Sequence, residues 1–234
     1  MQTDPFSVLR DQRVVQVLKD LHDRADRQMP GLLLHYLPQM PRILTGGKVH
    51  FTEAQAHNFY ADKFLPLDRD QAAFCYQTVR ALRAQTVVEF GTSFGISTVW
   101  LAAALKDNGG GRLIGTELVP EKAARALEHV AAAGLSDYVE IRVGDALETL
   151  RDGPERIDFL LNDGFPMLAL DILKLLTPRL SLGGVVLTDN VGTFKANYRD
   201  YLEFVRDPAN GYASSLLPYK SGTEYSVRVG VSPP

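Results

Sequence analysis

Thr86-Val87-Val88-Glu89-Phe90-Gly91-Thr92-Ser93-Phe94-Gly95-Ile96-Ser97-Thr98-Val99-Trp100 is the stretch on which the reading of this chain turns. Val87 to Phe90 predicts a buried strand, the two glycines free the next turn from side-chain clash, and Ser97 onward predicts a helix to Leu105. A strand, a glycine loop and a helix in that order aim backbone N–H groups and the positive helix end at whatever lies beyond the strand's carboxyl end, in many such units part of a nucleotide. The spacing is not the G-x-G-x-x-G of dinucleotide sites, and the acid two places before the first glycine is foreign to that fingerprint.

Outward from this stretch the same unit repeats. Arg112 to Glu117 predicts a second strand, Pro120 opens a helix to Ala133 that Gly134 closes, and Val139 to Val143 alternates as a third strand ending at Gly144-Asp145. Ile157 to Leu161 is a fourth strand, Met167 to Leu176 a helix, and Val185 to Leu187 a fifth strand. Successive β/α steps predict an α/β fold, a doubly wound and mostly parallel sheet. The tail breaks the rhythm: Ala213 to Leu217 and Tyr225 to Val229 predict an antiparallel hairpin at a sheet edge, making seven strands in all.

Before the core, Val8, Leu9, Val14, Val15, Leu18, Leu21 and Ala25 fall at helical spacing and Pro30-Gly31 predicts the helix end. Leu32 to Leu37 reads as a short apolar piece closed by Pro38, and Pro41 to Lys48 as irregular chain able to fold over a site. Thr52-x-x-Gln55 predicts a capping box opening a helix through Phe64, and Asp68-x-x-Gln71 another before a helix from Ala72 to Leu82. The expected division is a helical cap or dimerisation extension over residues 1–67 and a ligand-binding domain over 68–234. An amphipathic stripe ahead of a complete sheet needs covering, and a homodimer is the expected cover.

Composition narrows the function. With 234 residues, 45% hydrophobic, the chain can bury a sizeable core. Its 25 basic and 28 acidic residues leave a net charge of −3, no field for a phosphate backbone, so nucleic acid is not an expected partner. A single cysteine, Cys75, reads as a small buried hydrophobe. No apolar run reaches the roughly 18 residues of a membrane span, and Met1 to Pro5 shows no signal-peptide pattern. The expected setting is cytoplasmic, without membrane.

In a parallel sheet the ligand lies beyond the carboxyl ends of the strands, and here five consecutive ends carry acids: Glu89, Glu117, Asp145, Asp163 and Asp189, the last followed by Asn190. Any one of these can be a helix cap; five in series point to a ligand. Glu117 follows Gly91 by 26 residues, and a carboxylate there can accept from both hydroxyls of a ribose. Asp163, Asp189 and Asn190 supply three hard oxygens, a set suited to Mg²⁺ or another divalent cation.

Glu89-x-Gly91-x-x-x-Gly95-x-Ser97 resembles the first motif of class I S-adenosylmethionine-dependent methyltransferases, and more narrowly the catechol and caffeoyl-CoA O-methyltransferase group, over about residues 65–230. The resemblance implies a methyl transfer from S-adenosylmethionine to a hydroxyl of a small molecule, aromatic or a vicinal diol. It implies that Glu89 with Gly91, Thr92, Ser93, Gly95 and Ser97 holds the methionine part, Glu117 and Leu118 the ribose, and Gly144, Asp145 and Ala146 the adenine, with Asp163 bordering the cofactor. It also implies a metal bound by Asp163, Asp189 and Asn190.

One departure stands out: the lysine that the family places three residues after the first metal aspartate is here Pro166, which accepts no proton. Asp163 with Lys195 is the catalytic pair carried forward, and Tyr198, His35, His50 and His57 are the other groups weighed for the lysine's task. Tyr36, Phe51, Phe59, Tyr60, Phe64 and Phe165 could line an aromatic pocket or serve as core. Competing readings are a metal-independent O- or N-methyltransferase in which Asp163 and Asp189 orient the acceptor, and a cofactor-binding module without catalysis. A nicotinamide oxidoreductase is disfavoured by the missing third loop glycine and the absence of a Tyr-x-x-x-Lys pair.

Overall fold

The stretch that opens the reading forms β1 (Thr86–Phe90), the centre of the sheet in a computed structural model that describes residues 4–52 and 58–230. β1 is paired in parallel with β2 (Arg112–Glu117) on one side and β4 (Ile157–Asn162) on the other. β3 (Val139–Val143) extends the first side and β5 (Leu180–Thr188) the second, and β6 (Tyr212–Leu217) and β7 (Thr223–Arg228) add the expected antiparallel pair, giving the order β3-β2-β1-β4-β5-β7-β6. The chain winds one way to β3 and then crosses back to β4, so the strand order reverses beside β1 and opens a crevice at the carboxyl ends there.

Both faces of the sheet are covered, which is why its central strands read as apolar runs. Val87, Leu113, Phe159, Leu161, Val185 and Leu187 point into one core, with α1 (Gln12–Tyr36), α3 (Arg69–Ala81) and α4 (Ile96–Asp107); Val88, Ile114, Leu160 and Val186 point into the other, with α7 (Ala169–Leu176) and α8 (Arg199–Arg206). α4 is buried from Ile96 through Leu105 because it is wedged between the sheet and the α1 and α3 layer, and it accordingly has no polar face. Between these lie α2 (Met40–Leu44), α5 (Pro120–Ala132) and the short α6 (Ala146–Thr149).

The structure corrects several expectations. α1 does not stop at Pro30-Gly31 but runs on to Tyr36 with Pro30 inside it. Tertiary contacts outweigh the lost backbone bond: the Gln28 side chain grips the backbone of Asp62 and Phe64, Leu32 is buried, and Tyr36 hydrogen-bonds Tyr60. Pro41 to Leu44, expected irregular, is part of α2, where Pro at the first turn costs no hydrogen bond. Residues 53–57, where the Thr52 capping box would act, lie outside the described residues, as does His57; residues 58–62 are turns and bends and 63–64 irregular, not helix. β5 begins at Leu180, earlier than the apolar run suggests, and α8 was not foreseen, its polar stripe hiding Tyr201, Leu202 and Val205. The stripe Val14, Leu18, Leu21 and Ala25 is covered by the chain's own core rather than by a partner, while Leu33, Leu34, Leu37 and Leu44 stay exposed.

One packed group makes stability depend on pH. His22 of α1 is 1% exposed, and the Trp100 indole N–H donates to its Nε2 at 3.4 Å. Burial pushes its pKa from 6.5 down to about 4. The unfolded chain therefore takes a proton that the folded chain refuses, so this contribution is complete above pH 6.5 and is lost as pH falls to about 4, a change of about 3 kcal/mol. Urea unfolding at pH 7 and pH 4 checks it against His22→Gln, which should lose less over that span; equal losses in both proteins would remove His22 from the account.

Candidate active site

The glycine loop takes its shape from contacts beneath it. Gly91 has φ 98°, and a Cβ there would stand 2.5 Å from the Asp163 carbonyl oxygen, so only glycine lets β1 and β4 ends approach. Gly95 has φ 82° and meets Ala126 of α5 in the same way. Glu89 is fully buried under the loop and accepts from the hydroxyls of Thr92 (3.0 Å), Ser97 (2.5 Å) and Thr98 (2.5 Å). Burial raises its pKa against these three donors. Glu89 thus ties the loop from beneath through these three hydroxyls. The His129 ring bonds the Phe94 carbonyl oxygen at 2.8 Å and holds the loop from α5.

Glu117, half-buried at the end of β2, accepts from the backbone N–H of Ser93 (2.7 Å) and Val119 (2.9 Å). It thus stands at the rim of the loop with its carboxylate held in place. The Ser93 hydroxyl is buried with no partner among the described residues, an open donor and acceptor on the same rim. Leu118 adjoins Glu117, and Gly144, whose N–H donates to the Glu117 carbonyl oxygen at 2.9 Å, leads into Asp145 and Ala146. Asp145 accepts from Leu147 N at 2.8 Å and caps α6, so its carboxylate has a structural task. Phe64 stacks on Phe94 with centroids 4.4 Å apart, bringing the cap against the loop.

Across the crevice, Asp163 and Asp189 extend from β4 and β5. Asp189 is 5% exposed and Asp163 keeps one side open to the crevice. Burial pushes the Asp163 carboxyl well above the usual range, with Asp189 and Glu89 adding to the rise; burial likewise raises Asp189. Neither has an ion pair among the described residues. Asn190 stands at φ 62°, a left-handed conformation that asparagine tolerates, and its Nδ2 lies 3.0 Å from Asp189 Oδ2 and 3.5 Å from Asp163 Oδ1. The three side chains expected as metal ligands are therefore together. They comprise two carboxylates and an amide, and no cluster of three His, Cys, Asp or Glu occurs among the described residues. Two neighbouring acids without a counter-charge among the described residues suit a cation; for all three to ligate it, the Asn190 amide would turn its oxygen inward.

Pro166 is buried in the turn after β4. Of the groups weighed in place of lysine, Lys195 and His50 are exposed, and His35 stacks on Phe59 with ring centroids 3.5 Å apart. Tyr198 is 1% exposed and within electrostatic reach of both Asp163 and Asp189, which with burial raise its pKa well above 10 and keep its proton on. The aromatic set is partly assembled here: Phe51 meets Phe165 at 6.1 Å and Phe194 at 5.1 Å, and Tyr36 meets Phe194 at 6.2 Å. Phe194 was missed, since nothing local marks it. Asn197 pins the strap that carries Phe51, its side chain bonding Val49 N at 2.9 Å and Val49 O at 2.8 Å. Beside it lies a cavity of about 250 Å³ lined by Lys48, Val49, His50, Phe51, Met167, Asn197 and Asp200.

Known proteins resemble this chain in sequence and fold. A family model described as a methyltransferase domain matches residues 88–191. Catechol O-methyltransferase B of Danio rerio is 34% identical over 217 residues, 86% of this chain and 79% of that protein. A catechol O-methyltransferase of Niastella koreensis is 37% identical over 98 residues, 41% of this chain and only 43% of that protein's length. The O-methyltransferase of Bacillus cereus, solved in complex with SAH, superposes with a TM-score of 0.64 at 24% identity over 75% of this chain and 88% of that one, and shows the same fold. The sheet order, the glycine loop tied to Glu89 and Glu117 and the likeness along most of the chain to the Danio rerio protein place this chain in the catechol O-methyltransferase family of S-adenosylmethionine-dependent enzymes.

Proposed function

We propose that the protein transfers a methyl group from S-adenosylmethionine to a hydroxyl of a small aromatic or vicinal-diol acceptor, aided by Mg²⁺ or another divalent cation. The observation that carries this reading is the pairing, across one crevice, of a glycine loop tied to Glu117 with two neighbouring acids that have no ion pair among the described residues. Glu117 would hold the ribose, the Gly91 to Ser97 loop the methionine part, and Gly144 to Ala146 the adenine edge. Asp163, Asp189 and Asn190 would hold the cation, whose chemistry is to polarise an acceptor oxygen and lower its pKa. With proline in the lysine's position and Lys195 exposed, that polarisation would carry more of the task. Phe51, Phe165 and Phe194 offer flat apolar surface for an acceptor ring, and the neighbouring cavity has the scale of a small molecule.

A second reading, metal-free transfer with Asp163 and Asp189 orienting the acceptor, is favoured by one observation: Asn190 presents Nδ2 to both carboxylates, closing the trio with hydrogen bonds. A methyl-transfer assay on a catechol acceptor separates the two. Activity that vanishes with chelator and returns with Mg²⁺ supports the first; activity indifferent to excess chelator supports the second, and no transfer despite S-adenosylmethionine binding would leave a cofactor-binding module.

We further infer that residues 1–67 cap the 68–234 domain and that the exposed Leu33, Leu34 and Leu37 face joins two copies into a homodimer. Light scattering that reads a monomer at micromolar concentration would overturn the dimer.

A further inference from the structure

The strap Lys48 to Phe51 follows the turn that closes α2, where Gly47 N donates to Arg42 O at 2.8 Å. It is neither helix nor strand, and one side chain holds it: Asn197 Oδ1 accepts from Val49 N at 2.9 Å and Nδ2 donates to Val49 O at 2.8 Å. Val49 is buried beneath the strap, while Lys48 and His50 on either side of it stay exposed. Asn197 is in turn built onto the acid-bearing end of β5, with Phe194 N donating to Asn190 O at 2.9 Å and Asn197 N to Phe194 O at 2.8 Å. Phe51 meets both Phe194 and Phe165, the latter two residues beyond Asp163. The strap therefore spans the two turns that leave the acids, and the charge it carries is tied to them.

The cavity of about 250 Å³ lies between this strap, Met167 and the start of α8, and the charged or ionisable residues of its lining are Lys48, His50 and Asp200. Asp200 is already answered: it stands in the first turn of α8, where the positive helix end favours a carboxylate, and Arg199 Nε lies 3.3 Å from its Oδ1. The Asn197 amide has both its ends on Val49. Lys48 has no ion pair among the described residues, so the unanswered charge of this lining is positive, and the His50 imidazole beside it offers a further N–H donor.

We propose that this cavity selects acceptors whose ring carries a carboxylate-bearing side chain, the ring lying on Phe51, Phe165 and Phe194 and the carboxylate meeting Lys48 and His50. The inference rests on the reading of Asp163 and Asp189 as the acceptor end. Hydroxyls held at those acids leave the opposite edge of the ring directed away from them, and the cavity beside Phe51 receives what that edge carries. Dihydrocaffeate, catechol and dopamine test it, since they share one hydroxyl pair and carry an anionic side chain, none, and a cationic one. In the wild-type protein kcat/KM should fall in that order, with dihydrocaffeate about tenfold above dopamine.

Lys48→Met keeps most of the stem and removes the charge. It should raise the KM for dihydrocaffeate about five- to tenfold with kcat unchanged, because a contact remote from the reacting oxygen is made alike before and during transfer. Catechol, which carries nothing into the cavity, should stay within about twofold. Lys48→Glu should put dopamine ahead of dihydrocaffeate, and since Lys48 is exposed neither variant disturbs the core. Equal kcat/KM for dihydrocaffeate and dopamine in the wild-type protein, or a dihydrocaffeate KM unmoved in Lys48→Met, would overturn the assignment. Should none of the three be methylated, the proposed function fails separately, and calorimetry of dihydrocaffeate and dopamine on the protein saturated with S-adenosylhomocysteine decides the cavity alone. Tighter binding of dihydrocaffeate that is lost in Lys48→Met sustains it; equal binding of the two, or none, overturns it.

Discussion

Alanine in place of either Asp163 or Asp189 should reduce methyl transfer by about a thousandfold or more, the loss of roughly 4 kcal/mol of stabilisation at the reacting oxygen. The two acids lie together at the ends of β4 and β5 with no cation paired to them among the described residues, so each variant loses half of the charge available to bind one. The cofactor side should be spared. Glu117, Ser93 and Val119 form their hydrogen bonds without either aspartate side chain, so S-adenosylmethionine affinity should remain within about tenfold, or roughly 1.4 kcal/mol. Stability should not fall, since each substitution removes one of two like charges from a buried pair. Steady-state turnover with calorimetry of the cofactor on the same preparations measures both halves. Variants that keep more than a tenth of wild-type turnover would move the acceptor end elsewhere.

Glu117→Ala should show the converse, weakening S-adenosylmethionine by about 30- to 1000-fold, or roughly 2 to 4 kcal/mol, through the loss of charge-assisted hydrogen bonds. Part of this loss would pass through the loop, because the same carboxylate accepts from Ser93 N and Val119 N. Glu117→Gln separates the parts: it keeps an oxygen for one of the two backbone donors but not the charge for a ribose, and an intermediate affinity is expected. Calorimetry at fixed ionic strength is the measurement. Wild-type affinity in the alanine variant would place the cofactor away from β2.

Much of this was legible in the residues for a simple reason. A central strand buried on both faces must be an uninterrupted apolar run, and a loop that has to pass close to its neighbour must carry glycine, so Thr86 to Trp100 declares both its form and its use. The acids at the strand ends follow, because strand length sets which residue leaves the sheet. The hairpin was marked by its alternation and by Lys220-Ser221-Gly222.

Other features needed the tertiary structure. Pro30 and Gly31 are breakers by local rule, but Gln28 and Tyr36 gain partners far along the chain and Leu32 is buried, which holds the helix together past them. α8 shows few apolar residues because its buried side is narrow. Nothing local marks which hydroxyls Glu89 gathers; the fold brings those of Thr92, Ser97 and Thr98 to its carboxylate. Gln71 could equally have closed a capping box; it is buried instead. By itself the sequence determined the sheet, the cradle and the row of acids, since each depends on residues adjacent along the chain, whereas which way a polar side chain turns depends on the partners it finds, and those for Glu117, Asp189 and Phe51 come from elements that only folding brings beside them.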